Sequence, residues 1–136
     1  NAIMPTYGSQ FAAGADLYAC TNGETVTFAQ GETKLIKTGL AIELPVGYAA
    51  FIYARSGLAS KKGLAPANKV GVIDSDYRGE ICVGLINQYE ESYTIQPGER
   101  IAQLVIMPVS LITPVEAEEL DDTQRGAGGF GSTGKA

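Results

Sequence analysis

Asp74 stands where an apolar run, Gly71-Val72-Ile73, opens into the turn-rich stretch Ser75-Asp76-Tyr77-Arg78-Gly79-Glu80. A carboxylate at such an opening can hold a water molecule and take its proton. Asp is also frequent in turns because it bonds its own backbone, so this segment alone leaves both readings open. Arg55-Ser56-Gly57 suits a different task. A strand passes there into a short helix. Ser56 is placed to cap that helix, the free amides favour an anion, and the Arg55 fork matches a phosphate. A plain cap beside a surface arginine is the alternative. Asp16 lies among small and apolar residues in Ala13-Gly14-Ala15-Asp16-Leu17-Tyr18-Ala19. A partly buried carboxylate needs a partner, either a metal-bound water or backbone amides. Gln103, within Gly98-Glu99-Arg100-Ile101-Ala102-Gln103-Leu104, needs hydrogen-bond partners if it faces inward; an outward-facing glutamine is the plainer reading.

Near the C-terminus, Arg125-Gly126-Ala127-Gly128-Gly129-Phe130-Gly131-Ser132-Thr133-Gly134 joins a guanidinium, a ring and two hydroxyls to a backbone nearly bare of side chains. Glycines let a chain wrap closely around phosphates, and successive amides can form an anion nest. The Lys-Ser/Thr pair of a Walker A loop is missing. Phe130 has no local core to join and suits a lid stacked on a base; a disordered tail is the alternative. Glu116, Glu118, Glu119, Asp121 and Asp122 precede this arm and read as a solvated linker rather than a metal or partner site.

Composition removes several kinds of chemistry. There is no histidine, which excludes Ser–His and Cys–His pairs and His-ligated zinc. A general base must be Asp, Glu, Lys or Tyr. The net charge of −5 argues against nonspecific binding to nucleic acid or to an anionic membrane. An anionic ligand must then be attracted locally, by a few arginines, amides and a metal ion. Cys20 and Cys82 are too few for a disulfide framework and read as small buried apolar residues. No apolar run approaches the ~20 residues that span a bilayer, and no signal peptide is visible.

The elements that must carry these residues are short strands between Gly and Pro turns. Strands are expected around Thr25–Phe28, Leu40–Leu44, Tyr48–Tyr53, Glu80–Ile86, Tyr93–Ile95 and Arg100–Met107. Ser56 to Lys62 reads as the one ordinary short helix, stopped by Gly63. The expected fold is all-β, a jelly-roll-like distorted barrel with one short helix and a glycine-rich C-terminal arm. The 136 residues fit a single domain, 1–136, with 114–136 as acidic linker and arm.

Taken together, five segments resemble the five ordered motifs of the homotrimeric deoxyuridine triphosphatases (dUTPases): AGADLYA (13–19), RSGLA (55–59), GVIDSDYRGE (71–80), GERIAQL (98–104) and RGAGGFGSTG (125–134). They occur in family order and span nearly the whole chain. The resemblance implies a soluble, cytoplasmic enzyme that converts dUTP and water to dUMP and pyrophosphate by attack at the α-phosphorus. That reaction keeps uracil out of DNA and supplies dUMP for thymidylate synthesis. It implies roles as well. Asp74 would activate the water. Asp16 would hold Mg²⁺ through the ion's water shell. Arg55, Ser56, Gly57 and Gln103 would face the phosphates. Arg125, Gly131, Ser132 and Thr133 would close over them, with Phe130 over uracil. Backbone at Gly71, Val72, Ile73 and Cys82, together with Asn68, would read the base, and Tyr77 would sit under deoxyribose. Self-association into a trimer with shared sites is implied too. Two departures stand out: Ala54 where the family often has Pro or Gly, and a family first strand that normally precedes residues 1–6. A dCTP deaminase shares the fold but expects a Ser-Ser pair where Ser56-Gly57 stands. A non-catalytic nucleotide-binding module expects Asp74 or the arm to be missing.

Overall fold

The computed structural model describes residues 1–134; residues 135 and 136, the end of the expected domain and arm, lie outside the described residues. The strands are β1 (Thr6–Tyr7), β2 (Ala15–Tyr18), β3 (Val26–Phe28), β4 (Thr33–Lys37), β5 (Tyr48–Tyr53), β6 (Leu64–Pro66), β7 (Gly71–Ile73), β8 (Cys82–Asn87), β9 (Tyr93–Ile95) and β10 (Arg100–Pro108). One helix, α1 (Ser56–Lys62), follows β5. Every pairing is antiparallel. A five-stranded sheet runs β1-β2-β10-β5-β7, a three-stranded sheet β4-β8-β6, and β3 pairs β9. The all-β fold with one short helix is as expected. Its sheets enclose one core without closing into a barrel among the described residues.

Alternation with a period of two decides what each strand buries. In β2, Ala15 and Leu17 point inward while Asp16 and Tyr18 face the other way. In β10, Ala102 and Leu104 are buried and Gln103 between them is not. Leu17, Phe28, Leu85, Ile95, Ile101 and Ala102 are fully buried and join one apolar cluster fed by all three sheets. Gly63 ends α1 in the left-handed region at φ 72°, where a Cβ would also strike the Tyr89 ring at 2.4 Å. No helix among the described residues is long and apolar enough to cross a membrane.

Three expectations fail in detail. Residues 40–44 form no strand, although Leu44 is buried. Their backbone is tied instead by Thr38, which is fully buried: its hydroxyl accepts from the Leu40 amide at 3.3 Å and donates to the Ile81 carbonyl at 2.7 Å. The strand in this region is β4, whose mostly polar residues hide its pairing with β8. Pairing of β8 starts at Cys82, not Glu80, because the Ile81 amide donates to Leu40 at 2.7 Å outside the ladder. Cys20 and Cys82 are free and half-buried rather than buried.

Candidate active site

Sheet register brings three side chains into one row. Asp16 on β2 lies opposite Gln103 on β10, and Gln103 lies opposite Tyr53 on β5. The row faces away from the core, since its neighbours Leu17, Ala102, Leu104 and Ile52 point inward. Two residues past Tyr53, Arg55 turns its Nε onto Asp16 Oδ1 at 2.9 Å. The terminal nitrogens of Arg55 stay available. From β10, Arg100 Nη1 donates to Asp16 Oδ2 at 3.3 Å. Asp16 is thus held between two guanidinia, with its side chain only 13% exposed. Gln103 donates its amide to the Ala54 carbonyl at 2.9 Å. Gly14 permits this: a Cβ there would meet Gln103 Oε1 at 2.3 Å. Asp16, Arg55, Ser56, Gly57, Arg100 and Gln103 line a cleft of about 280 Å³.

Ser56 does not cap α1. Arg55 keeps extended angles, φ −85° and ψ 129°, and occupies the cap position with no side-chain cap. Helical bonding starts with the Ala59 amide donating to the Arg55 carbonyl at 2.9 Å. The Ser56 hydroxyl is therefore not spent on the helix.

A second cleft, about 340 Å³, is lined by Asn68, Gly71, Asp74, Tyr77, Glu80 and Cys82 among others. It lies between β7, the edge of the five-stranded sheet, and β8. The turn after β7 closes through backbone, the Tyr77 amide donating to the Asp74 carbonyl at 3.1 Å. Among the described residues the Asp74 carboxylate has no hydrogen-bond partner, which sets the turn-capping reading aside. Tyr77 donates its hydroxyl to the Glu80 carbonyl at 3.0 Å. Its ring is held over Gly79, where a Cβ would lie 2.3 Å from the Tyr77 oxygen. Val72 is exposed, not part of a buried lead-in, because alternation on the edge strand turns it outward between core-facing Gly71 and Ile73. Burial beside the Glu80 carboxylate pushes the Cys82 thiol upward, against a smaller pull from Lys37.

The arm reaches neither cleft. Residues 111–127 are exposed throughout. Its bonds are local, Arg125 Nε to the Gly128 carbonyl at 2.7 Å and the Ser132 amide to the Gly129 carbonyl at 3.1 Å. Phe130 stands in the left-handed region at φ 50°, and its ring is wholly exposed. Arg125, Gly131, Ser132 and Thr133 follow it into solvent.

The sequence singled out every lining residue above except Arg100 and Glu80, which it offered only as members of longer segments. Arg100 was hidden by a β-bulge. It pairs with Tyr18 while Ala102 pairs with Leu17, so Ile101 is an extra residue. Without the bulge, simple alternation would turn Arg100 to the core; with it, Arg100 shares the face of Asp16.

Comparison with known proteins bears on the family and the fold. The family model described as dUTPase matches residues 1–134. The deoxyuridine 5′-triphosphate nucleotidohydrolase of Desulfitobacterium hafniense is 56% identical over 132 residues, covering 96% of this chain and 87% of that protein. Among solved structures, a Staphylococcus bacteriophage 80alpha dUTPase mutant with dUpNHpp superposes with TM-score 0.89 at 31% identity, covering 98% of this chain and 93% of that one. A mutant dUTPase from phage phi11 of S. aureus, with a structural Mg(II) ion, reaches TM-score 0.79 at 28% identity over 89% of this chain and 93% of that one. With the family model, the sequence identity and the fold in agreement over nearly its whole length, the chain belongs to the dUTPase family, the deoxyuridine 5′-triphosphate nucleotidohydrolases.

Proposed function

We propose that the chain hydrolyses dUTP to dUMP and pyrophosphate by attack of water on the α-phosphorus, in a site completed by three copies of itself. The observation that carries this reading is the separation of the two clefts. Asp74 follows Ile73, which pairs with Ala50, whereas the phosphate cleft takes Gln103, which pairs with Tyr53, and Arg55 beyond it. From the level of Ala49 to Tyr53 is ~13 Å of strand, with Arg55 beyond, and the row holding Asp16 faces away from the core. One copy of the chain does not present Asp74 and Arg55 to a single phosphorus. A neighbouring copy can bring its Asp74 to this copy's Arg55.

In such a site the Asp74 carboxylate, without a hydrogen-bond partner among the described residues, takes the proton of the attacking water. Arg55 and the Ser56 hydroxyl hold the phosphates, and Gln103 orients them or the water. Asn68 and the backbone at Gly71, Val72, Ile73 and Cys82 pair with the uracil edge. Tyr77 lies under deoxyribose and leaves no room for a 2′-hydroxyl. Arg125, Gly131, Ser132 and Thr133 close over the β- and γ-phosphates from another copy, with Phe130 on the base.

The residues fit a magnesium ion. A hard cation that keeps several waters and takes phosphate oxygens needs little more than a carboxylate beside the triphosphate. Asp16 is the one carboxylate of the phosphate cleft and would hold the ion through water. When bound, the ion neutralises triphosphate charge.

A nucleotide panel tests the reading through pyrophosphate release with and without Mg²⁺. dUTP is expected to lead dTTP, dCTP and UTP in kcat/KM by several powers of ten, since each competitor clashes or leaves a required hydrogen bond unmade. Ammonia release from dCTP would indicate a deaminase instead. Comparable rates for the four nucleotides would remove the base-reading hairpin from the account.

A further inference from the structure

We infer that Arg100 is a positioning residue, acting through Asp16 to hold Arg55 in its anion-binding pose; this rests on the reading of that cleft as the phosphate site. A carboxylate bonded at one oxygen can still rotate about its terminal torsion. Asp16 is bonded at both, to Arg55 Nε at 2.9 Å and to Arg100 Nη1 at 3.3 Å, so its plane is fixed. Arg55 uses only its Nε there, which leaves the two terminal nitrogens aimed by a fixed carboxylate. The two contacts differ. Arg55 is 29% exposed and its bond short; Arg100 is 51% exposed and its bond long. Desolvated, short contacts hold better than wet, long ones. Arg100 is therefore the weaker of the two partners, and its part is to fix the carboxylate plane whose Oδ1 keeps Arg55 in place. The bulge at Ile101 is the structural device that puts Arg100 on this face.

The test is a double-mutant cycle read by binding rather than turnover. Calorimetry measures affinity for inorganic tripolyphosphate with Mg²⁺ in wild type, Arg100→Gln, Asp16→Asn and the pair. Alone, Arg100→Gln should weaken binding about tenfold, a typical coupling for charges in contact. In the Asp16→Asn background the same change should cost less than about twofold. Arg100→Lys, which keeps charge but loses the fork, should fall between, and it carries the cycle if Arg100→Gln fails to fold. An undiminished loss in the Asp16→Asn background would mean that Arg100 grips the anion itself and would overturn the inference. So would the absence of any loss. If wild type holds no tripolyphosphate, the cleft is not a phosphate site and the inference falls with it. Tripolyphosphate binding without hydrolysis of dUTP would overturn the proposed reaction and leave this positioning role standing.

Discussion

A general base needs an oxygen that its own fold does not use. Asp74 and Asp16 divide on this point. Asp16 spends both oxygens on arginines, whereas the turn that carries Asp74 closes through its backbone carbonyl. The structure thus separates two carboxylates that sequence could only rank by context, one built to hold charge in place and one left open to water. Asp74→Asn tests the division. The amide keeps shape and polarity but cannot accept the proton, so kcat should fall by about 10²–10⁴-fold or more while nucleotide binding persists. Near wild-type kcat would take Asp74 out of the mechanism. At this scale the sequence was legible in which residues line the clefts: its motifs single out Asp16, Arg55 and Gln103, which line one, and Asp74, which lines the other. It was illegible where backbone geometry decides. Arg100 depends on a bulge, and Ser56 is freed because helical angles begin one residue earlier than a serine cap requires.

Among the elements, strands rich in apolar and aromatic residues, such as β5, β9 and β10, could be read directly, although the bulge in β10 hid the face that Arg100 takes. β4 could not, because Thr33, Lys34 and Lys37 carry no apolar period and its place is fixed by pairing with β8. Residues 40–44 show the reverse error, an apolar alternation whose backbone bonds go to Thr38 and Ile81 rather than to a ladder. The turn between β9 and β10 offers an element-scale test. Tyr93 donates its hydroxyl to Glu99, and the other Glu99 oxygen accepts the Gln96 amide at 2.8 Å. Burial, and then the Glu99 carboxylate, push the Tyr93 phenol up to about 12. A tyrosine titrates near 10 when unfolded. Its folded value is the higher one, so the contribution is complete below about pH 10 and is lost as pH rises through about 12. Urea unfolding at pH 8 and pH 11 should show Tyr93→Phe less stable than wild type at the lower pH, with the difference shrinking at the higher. A difference independent of pH would show that the bond does not carry the shift. This turn leads straight into Arg100, so the cleft around Asp16 is braced by the same element.

For the whole molecule, the two clefts and an unpacked arm pose one problem: three sets of residues that a single chain keeps apart. The arm beyond Pro114 buries almost nothing, and Phe130 is wholly exposed. Extended from Pro114 to Phe130, it reaches on the order of 50 Å, far enough to cross to a neighbouring subunit. A head-to-tail contact that closes after three steps would bring Asp74 of one copy, Arg55 of a second and the arm of another to each site. Complementation tests this arrangement. Asp74→Asn is co-refolded with a chain truncated before Arg125, each nearly inactive alone. A mixed site works when its Asp74 donor is a truncated chain and its arm donor carries Asp74→Asn. In an equal random mixture each condition holds half the time, so roughly a quarter of sites should be intact if the donors are different subunits. If Asp74 and the arm of one site came from the same chain, no mixture could contain an intact site. Recovery near a quarter of wild-type activity, in samples shown to contain mixed trimers, is the expected result, and no recovery in those samples would overturn the shared site.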